Sequence, residues 1–149
     1  MEASVNNVRM GVVGLGNMGT PHAKTLLSGA IKRAALAAVC DIDPERLKQF
    51  DDRVAKFTDS AKMIRSGKVD AIIIATPHYS HTTIGIDALK QGLHVLVEKP
   101  ISVHKADCER LLAAHQDKKQ VFAAMFNTRT VPLYGKVKEL IDSAKIPRV

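Results

Sequence analysis

Tryptophan is absent from this 149-residue chain, and aromatic residues make up only 4% of it. Proteins that bind single-stranded nucleic acid stack bases on aromatic side chains, so this composition offers little for that function. The formal net charge is +7, but the basic residues are scattered and form no run longer than a pair such as Lys118-Lys119. We therefore attribute the charge to solvated helix faces and expect no nucleic-acid partner.

Cysteines and long apolar runs are also scarce. Neither Cys40 nor Cys108 has a Cys or His neighbour at the spacing of a metal ligand, so we expect two reduced packing residues and no metal site. Apolar runs such as residues 71–75 are far shorter than the ~20 residues that cross a membrane, and residues 1–9 do not resemble a signal peptide. We expect a soluble cytoplasmic domain with no membrane partner.

Predicted strands and helices alternate along the chain. The predicted strands are 8–13, 34–40, 55–58, 69–75, 93–97 and 121–126, and the predicted helices are 18–28, 44–53, 60–66, 80–91, 103–117 and 132–143. Asp43-Pro44, Ser80 and Ser102 are the predicted helix starts, and Gly29, Gly67 and Gly92 the predicted stops. The strand 69–75 is apolar without alternation, which is typical of a parallel sheet buried on both faces. We interpret residues 1–149 as one doubly wound α/β domain.

A glycine-rich turn, Gly14-Leu15-Gly16-Asn17-Met18-Gly19, follows the first predicted strand. The first glycine permits a tight turn, the second lets the backbone approach a pyrophosphate, and the third lets the helix pack against the strand. Asp41 lies 22 residues after Gly19, near the expected position of a ribose-binding carboxylate. The strand before the turn and the helix after it give the motif its specificity. Together they predict a dinucleotide site in a Rossmann fold.

Polar residues follow four more of the predicted strands. They are Asp41-Ile42, the segment from Thr76 to His81, Glu98-Lys99-Pro100 and Asn127-Thr128-Arg129. Ligands of doubly wound folds bind beyond the carboxyl ends of the strands. We therefore expect these residues to converge with the glycine turn at one edge of the sheet.

Four segments carry a resemblance to a known family. They are Gly14–Gly19, Asp41, Ala75-Thr76-Pro77 with His81 four residues on, and residues 92–100, which end in Glu98-Lys99-Pro100. On these residues the chain resembles the N-terminal half of the Gfo/Idh/MocA oxidoreductases, from about residue 8 to residue 149. Members of that family run to more than twice this length. The resemblance implies a cofactor half that lacks the second domain, which carries substrate contacts and commonly the interface of a homo-oligomer.

The resemblance also implies a function and a set of site residues. The parent enzyme would transfer hydride between a sugar, inositol or related polyol and nicotinamide, whereas this chain would bind nucleotide without turnover. Lys99 resembles the active-site lysine, which contacts the reacting hydroxyl and the nicotinamide ribose, and Arg129 lies on the substrate side. The implied cofactor-binding residues are Gly14, Gly16, Asn17, Met18, Gly19, Asp41, Ile42, Arg46, Ala75, Thr76, Pro77, His78, His81, Glu98, Lys99 and Asn127.

Several of these residues have structural alternatives. Lys99 could be a surface lysine, Glu98 a member of an ion pair, His81 a capping or packing residue, and Arg129 part of a salt bridge. His78 stands where the family often has Asn, and Pro147 where it usually has Gly. The remaining histidines, His22, His94, His104 and His115, are interpreted as structural or solvated.

The choice of cofactor depends on Asp41. A carboxylate accepts hydrogen bonds from both ribose hydroxyls but repels a 2′-phosphate, and Ile42 suits an adenine ring. We therefore expect NAD rather than NADP, although the nearby Arg46 leaves NADP open. Three other interpretations stay open as well. They are a sensor or regulatory module that binds NAD(H) without chemistry, a free-standing NAD-binding protein, and a dehydrogenase of another Rossmann family that acts on carbonyls or imines.

Overall fold

The computed structural model describes residues 7–145, and Pro147 lies outside them. Its strands are β1 (Val8–Val13), β2 (Ala34–Cys40), β3 (Ala55–Phe57), β4 (Ala71–Ile74), β5 (His94–Val97) and β6 (Phe122–Ala124). They pair in parallel, in the order β3-β2-β1-β4-β5-β6. The order reverses between β1 and β4, which is where ligands of such sheets bind. The predicted doubly wound sheet is confirmed.

Helices cover both faces of this sheet. They are α1 (Gly19–Leu27), α2 (Pro44–Leu47), α3 (Ser60–Ile64), α4 (His81–Lys90), α5 (Lys105–Ala114) and α6 (Pro132–Asp142), with 3₁₀ turns at His78–Ser80 and Asn127–Thr130. The described residues contain no helix that is both long and apolar enough to cross a membrane. Helices α1, α3 and α4 end before Gly29, Gly67 and Gly92, as predicted.

The apolar side chains of β4 divide between two cores. Ile72 and Ile74 pack into one cluster, with side chains of α3, α4 and α5, whereas Ile73 packs into the other, with side chains of α1 and α2. All three are buried. Each contributes about 1.5–3 kcal/mol of apolar burial, on the opposite face from its neighbour. Burial on both faces explains why this strand lacks the alternation of a one-sided sheet.

The second helix is shorter than the predicted 44–53. It begins as expected, with the Asp43 carboxylate accepting a hydrogen bond of 3.0 Å from the N–H of Glu45. It ends at Leu47, and the chain continues in turns. In one of them the Asp51 carboxylate accepts a hydrogen bond from the N–H of Arg53 at 2.9 Å. Aspartate competes with the helix in this way, and the turns deliver Phe50 to the core.

Neither serine starts a helix by a side-chain cap. Ser80 directly precedes α4, so the predicted start is confirmed in position, but Ser80 belongs to a 3₁₀ turn and its side chain forms no capping hydrogen bond. Helix α5 begins at Lys105 rather than near 103, because the Ser102 hydroxyl is used elsewhere, in a hydrogen bond of 2.8 Å with the hydroxyl of Thr82. The prediction of Ser102 as a helix start is therefore wrong.

An ion pair between Arg9 and Asp70 joins the N-terminal ends of β1 and β4. The Asp70 carboxylate, just before β4, accepts hydrogen bonds from the Arg9 N–H at 2.8 Å and from its guanidinium at 2.5 Å. The side-chain hydrogen bond to Arg9 lowers the pKa of Asp70. The Arg9 guanidinium also donates to the carbonyl of Gly67 at 2.8 Å. These bonds fix how β1 and β4 align at the end away from the glycine turn.

Candidate functional site

The strands β1, β4 and β5 end at the same level of the sheet. Val13 pairs with Ile74, and Ile74 pairs with Val97. The residues that follow are therefore neighbours, and the main chain continues the ladder for one more step. The N–H of Ala75 donates to Val13 and the N–H of Glu98 donates to Ile74, at 2.8 and 2.9 Å. This register brings the glycine turn, the Thr76 segment and the Glu98-Lys99 segment to one edge, as predicted.

The glycine turn is packed too tightly for side chains at two of its positions. Gly14 has a φ of 90°, and a Cβ there would lie 2.7 Å from the carbonyl oxygen of Ala75. A Cβ on Gly19 would overlap the carbonyl oxygen of Gly14. Helix α1 starts at Gly19, so this contact brings the N-terminus of the helix against the strand end. These are the roles that the spacing predicts for the first and third glycines.

Gly16 differs from the other two glycines because it faces open space. A Cβ there would have only the Arg46 Nη1 atom within 4 Å, at 3.8 Å. The space is a cleft of about 430 Å³ lined by Leu15, Gly16, Asn17, Thr20, Pro21 and Arg46. Asn17, which lines the cleft, and the next residue, Met18, are both exposed. The cleft therefore opens on the backbone of the turn and on the first residues of α1.

Asp41 is 6% exposed and holds the glycine turn from the side. Its Oδ2 atom accepts a hydrogen bond of 2.6 Å from the N–H of Leu15, and its Oδ1 atom accepts one of 2.9 Å from the N–H of Asp43. Arg46 Nη1 lies 3.5 Å from Oδ2. Asp41 thus has a structural role that the ribose-binding prediction does not include. Ile42, at 90% exposure, lies open beside it.

Cys40 ends β2 next to this carboxylate. Burial, with the nearby carboxylates of Asp41 and Asp59, raises the pKa of its thiol to about 12. The thiol therefore stays protonated and unreactive. This agrees with the expected packing role. Within residues 7–145 no group of three or more His, Cys, Asp or Glu side chains is arranged to hold a metal ion.

The segment after β4 contains an unusual polar atom. Thr76 Oγ1 is buried, and no described residue forms a hydrogen bond with it. The next residues, Pro77 and His78, are exposed. His81 is instead fully buried, with both ring nitrogens within 3.0 Å of backbone carbonyl oxygens. These contacts are those expected of a packing role for His81, whose contact with a cofactor stays a prediction, while Thr76 presents the unpaired hydroxyl.

Glu98 is buried and bound at both carboxylate oxygens. Its Oε1 atom lies 2.8 Å from the Nε2 atom of His22, and its Oε2 atom accepts a hydrogen bond of 3.1 Å from the N–H of Lys99. The sequence predicts His22 only as a structural or solvated residue, whereas in the structure it contacts this buried carboxylate. The helical spacing indicates such a position, because His22 lies three residues after Gly19 and four before Leu26 and therefore shares a helix face with these two buried residues. For the ion-pair alternative of Glu98, the structure offers His22 as the partner.

Lys99 is exposed at the strand end, and its peptide bond to Pro100 is cis. Among the described residues the Lys99 ammonium has no hydrogen-bond or ion-pair partner. This exposed ammonium provides a hydrogen-bond donor and a positive charge just after the end of β5. The site can therefore hold an oxygen atom on which negative charge develops.

Asn127 and Arg129 lie on the 3₁₀ turn after β6, which is the outermost strand on one side of the sheet. The Arg129 guanidinium lies over the Phe126 ring, 5.3 Å from its centroid, and forms no ion pair with another described residue. Both Asn127 and Arg129 are exposed. A cleft of about 710 Å³ adjoins the turn and is lined by Thr128, Arg129, Tyr134, Gly135 and Lys138. β6 is separated from β1 by β4 and β5, so these residues lie to one side of the glycine turn.

Comparison with known proteins identifies the architecture around this edge. Residues 8–126 match the NAD-binding Rossmann fold of the Gfo/Idh/MocA oxidoreductase family. The chain belongs to this family. Among Gfo/Idh/MocA proteins, inositol 2-dehydrogenase 1 of Saccharopolyspora erythraea is 33% identical over 144 residues, which are 93% of this chain and 42% of that protein.

Solved structures of the family superpose closely. Apo scyllo-inositol dehydrogenase from Lactobacillus casei gives a TM-score of 0.89 at 28% identity, over 97% of this chain and 44% of that one. A structure of scyllo-inositol dehydrogenase from the same organism with bound NAD(H) and scyllo-inositol gives 0.85 at 29% identity, over 95% and 42% of the two chains. The chain thus spans less than half the length of these Gfo/Idh/MocA relatives. The comparisons confirm the family and the fold to which the motifs point.

Proposed function

We propose that this chain is the cofactor-binding part of an oxidoreductase that transfers hydride between an inositol, a sugar or a related polyol and NAD. The observation that supports the proposal is the shared register at Val13, Ile74 and Val97, because it ends β1, β4 and β5 at the same level of the sheet, so that the glycine turn and the Glu98-Lys99 segment follow at the same end. The relatives support the substrate class, since they include inositol dehydrogenases. The parent enzyme is expected to be a cytoplasmic homo-oligomer.

Two features of the site fit a dinucleotide. The open space over Gly16 allows a pyrophosphate to reach the backbone N–H groups at the start of α1, whose dipole favours negative charge. The unpaired, buried hydroxyl of Thr76 lacks a hydrogen-bond partner that a ligand can supply. In this placement Asn17 and Met18 border the pyrophosphate, while Ala75, Thr76, Pro77, His78, Glu98 and Asn127 face the nicotinamide half.

The adenosine half lies beside Asp41 in this placement. Each oxygen of the Asp41 carboxylate accepts a hydrogen bond from one backbone N–H and retains a lone pair for a ribose hydroxyl. A 2′-phosphate near that carboxylate would be repelled, which favours NAD over NADP. Arg46 reduces this repulsion, because its guanidinium lies 3.5 Å from the same carboxylate. Ile42 offers an apolar side chain to the adenine ring.

Bound NAD would supply the hydride acceptor, and Lys99 acts on the substrate oxygen. Its ammonium donates a hydrogen bond to the reacting hydroxyl and stabilises the negative charge that grows there while the hydroxyl proton passes to an acid-base residue of the second domain that the family resemblance implies. Glu98 fixes the start of this segment through the N–H of Lys99. Arg129 lies on the substrate side, where it can bind an anionic group. Because the chain spans less than half of its relatives, we expect it to bind nucleotide without measurable turnover.

Calorimetric titration tests the proposal directly, since the chain has no tryptophan to report binding by fluorescence. NADH, NADPH and ADP are titrated separately into the chain. We expect NADH to bind at least about tenfold more tightly than NADPH, a difference of ~1.4 kcal/mol. If none of the three binds, the proposed cofactor role is wrong.

The variant Lys99→Ala separates this function from that of an NAD(H) sensor. A sensor has no use for a lysine at the reacting position, so its affinity for NADH would not change. Our placement of Lys99 against the nicotinamide ribose predicts weaker binding of NADH and unchanged binding of ADP, which lacks that ribose. Equal affinity of both chains for NADH would favour the sensor.

A further inference from the structure

His81 is the first residue of α4, and its imidazole ring is completely buried. Its Nε2 atom lies 2.9 Å from the carbonyl oxygen of Thr76, and its Nδ1 atom lies 3.0 Å from the carbonyl oxygen of Pro100. The exposed His78 ring packs edge-on against it, with the ring centroids 5.5 Å apart. One side chain thus spans two segments that are far apart in sequence.

The two carbonyls belong to the segments on either side of the proposed nicotinamide site. Thr76 follows β4 and carries the unpaired buried hydroxyl, while Pro100 directly follows Lys99. A shift of the Pro100 carbonyl moves Lys99 because the two residues share a peptide bond. The His81 ring therefore links the segment that contains Thr76 to the segment that contains Lys99.

The chemistry of the ring suits this task. Carbonyl oxygens only accept hydrogen bonds, so each contact becomes a hydrogen bond when the facing ring nitrogen carries a proton. A neutral ring supplies one such bond and an imidazolium supplies two. Burial excludes water as a competitor for these bonds. No other side chain of this size combines two opposed polar atoms with a rigid plane.

We propose that His81 is a positioning residue, which joins the Thr76 and Pro100 segments and thereby places Lys99 against the nicotinamide half of the cofactor. The inference rests on the proposed function. It assigns His81 no contact with substrate or cofactor, unlike the direct cofactor contact that its motif suggests. Its effect on ligand binding is transmitted through the backbone of its two partners.

The chain contains a matched control close to His81. The hydroxyls of Thr82 and Ser102 form a hydrogen bond of 2.8 Å, which joins the next residue of α4 to a position two residues beyond Pro100. Thr82 is 3% exposed. This hydrogen bond links the same two parts of the fold as His81 does. The variant Thr82→Val removes it with little change in the shape of the side chain. A purely structural role for His81 would make the two sites equivalent.

The test compares His81→Phe, His81→Gln and Thr82→Val with the parent chain. Urea unfolding measures stability, and calorimetry measures the affinities for NADH and ADP. We expect His81→Phe to weaken NADH binding by about tenfold, because both polar contacts are lost, while ADP binding stays within about twofold. His81→Gln keeps an N–H donor and should recover part of the NADH affinity. Thr82→Val should leave the NADH to ADP affinity ratio unchanged.

The inference is overturned if the ratio of NADH affinity to ADP affinity is the same in all four chains. It is also overturned if this ratio changes as much in Thr82→Val as in His81→Phe. If His81→Phe does not fold, His81→Gln decides on the same ratio. If the parent chain binds neither nucleotide, the proposed function fails separately. The inference is then decided by NMR, where His81→Gln must shift the backbone amides of Thr76 and Lys99, and shifts confined to α4 would overturn it.

Discussion

Gly16→Ala should separate cofactor binding from folding. An added Cβ would have only Arg46 Nη1 within 4 Å, at 3.8 Å, and the φ of Gly16 lies outside the left-handed region. The folded chain can therefore accept the methyl group, and we expect the free energy of unfolding to change by less than about 0.5 kcal/mol. The same methyl group occupies the space through which a pyrophosphate must approach the backbone.

The size of the binding loss follows from the hydrogen bonds at stake. Hydrogen bonds from backbone N–H groups to a charged phosphate contribute about 1.5–3 kcal/mol each. Loss of one such bond predicts NADH binding weaker by roughly 10- to 100-fold. Calorimetry measures this loss, and urea unfolding of the same sample measures stability. NADH affinity equal to that of the parent chain would refute the assignment of this turn as the pyrophosphate site.

Two other glycines calibrate the measurement. In Gly19→Ala the Cβ would overlap the Gly14 carbonyl oxygen, so backbone must move, and we expect a loss of stability of about 1–3 kcal/mol. Gly135 lies in α6, and a Cβ there would meet no atom of another element within 4 Å. For Gly135→Ala we therefore expect the free energy of unfolding to rise by up to about 1 kcal/mol and the NADH affinity to stay unchanged. If Gly16→Ala unfolds as readily as Gly19→Ala, the space above Gly16 is not open in solution.

Three further predictions concern charged groups. Asp41→Asn removes the charge that repels a 2′-phosphate, so the calorimetric preference for NADH over NADPH should shrink; an unchanged preference would place the ribose elsewhere. His22→Ala leaves the Oε1 atom of the buried Glu98 carboxylate without its partner, and urea unfolding should report a loss of about 1–3 kcal/mol, whereas no loss would mean that water replaces the imidazole. The pKa of Asp70 is lowered by its hydrogen bonds to Arg9, so this pair stabilises the fold at pH 7 and the contribution disappears as the pH falls below about 4, through the lowered pKa. The urea midpoints of the unmodified chain and Asp70→Asn should therefore differ at pH 7 and approach each other as the pH falls below about 4; a constant difference would show that the charge is irrelevant.

The sheet and the glycine turn could be predicted because their causes are local. The apolar run through Ile72, Ile73 and Ile74 requires burial on both faces, and the glycine spacing requires a tight turn followed by a closely packed helix. Such constraints act within a few residues of one another. They are therefore readable from a single sequence, as is the convergence of the strand ends.

The contacts inside the site could not be predicted in the same way. His22 and Glu98 are 76 residues apart, and their contact depends on where α1 packs on the sheet. The partners of His81 are carbonyl oxygens, which every residue possesses, so the sequence contains no sign of them. The early end of α2 has a similar origin, because local aspartate hydrogen bonds and the burial of Phe50 outweigh its helical pattern.

The strand order also has a consequence for synthesis on the ribosome. β1 pairs with β2 on one side, but its other neighbour, β4, begins at Ala71. One edge of β1 therefore stays open while the intervening segments emerge, and such unpaired edges are prone to wrong partners. At about 5–20 residues per second this exposure lasts several seconds.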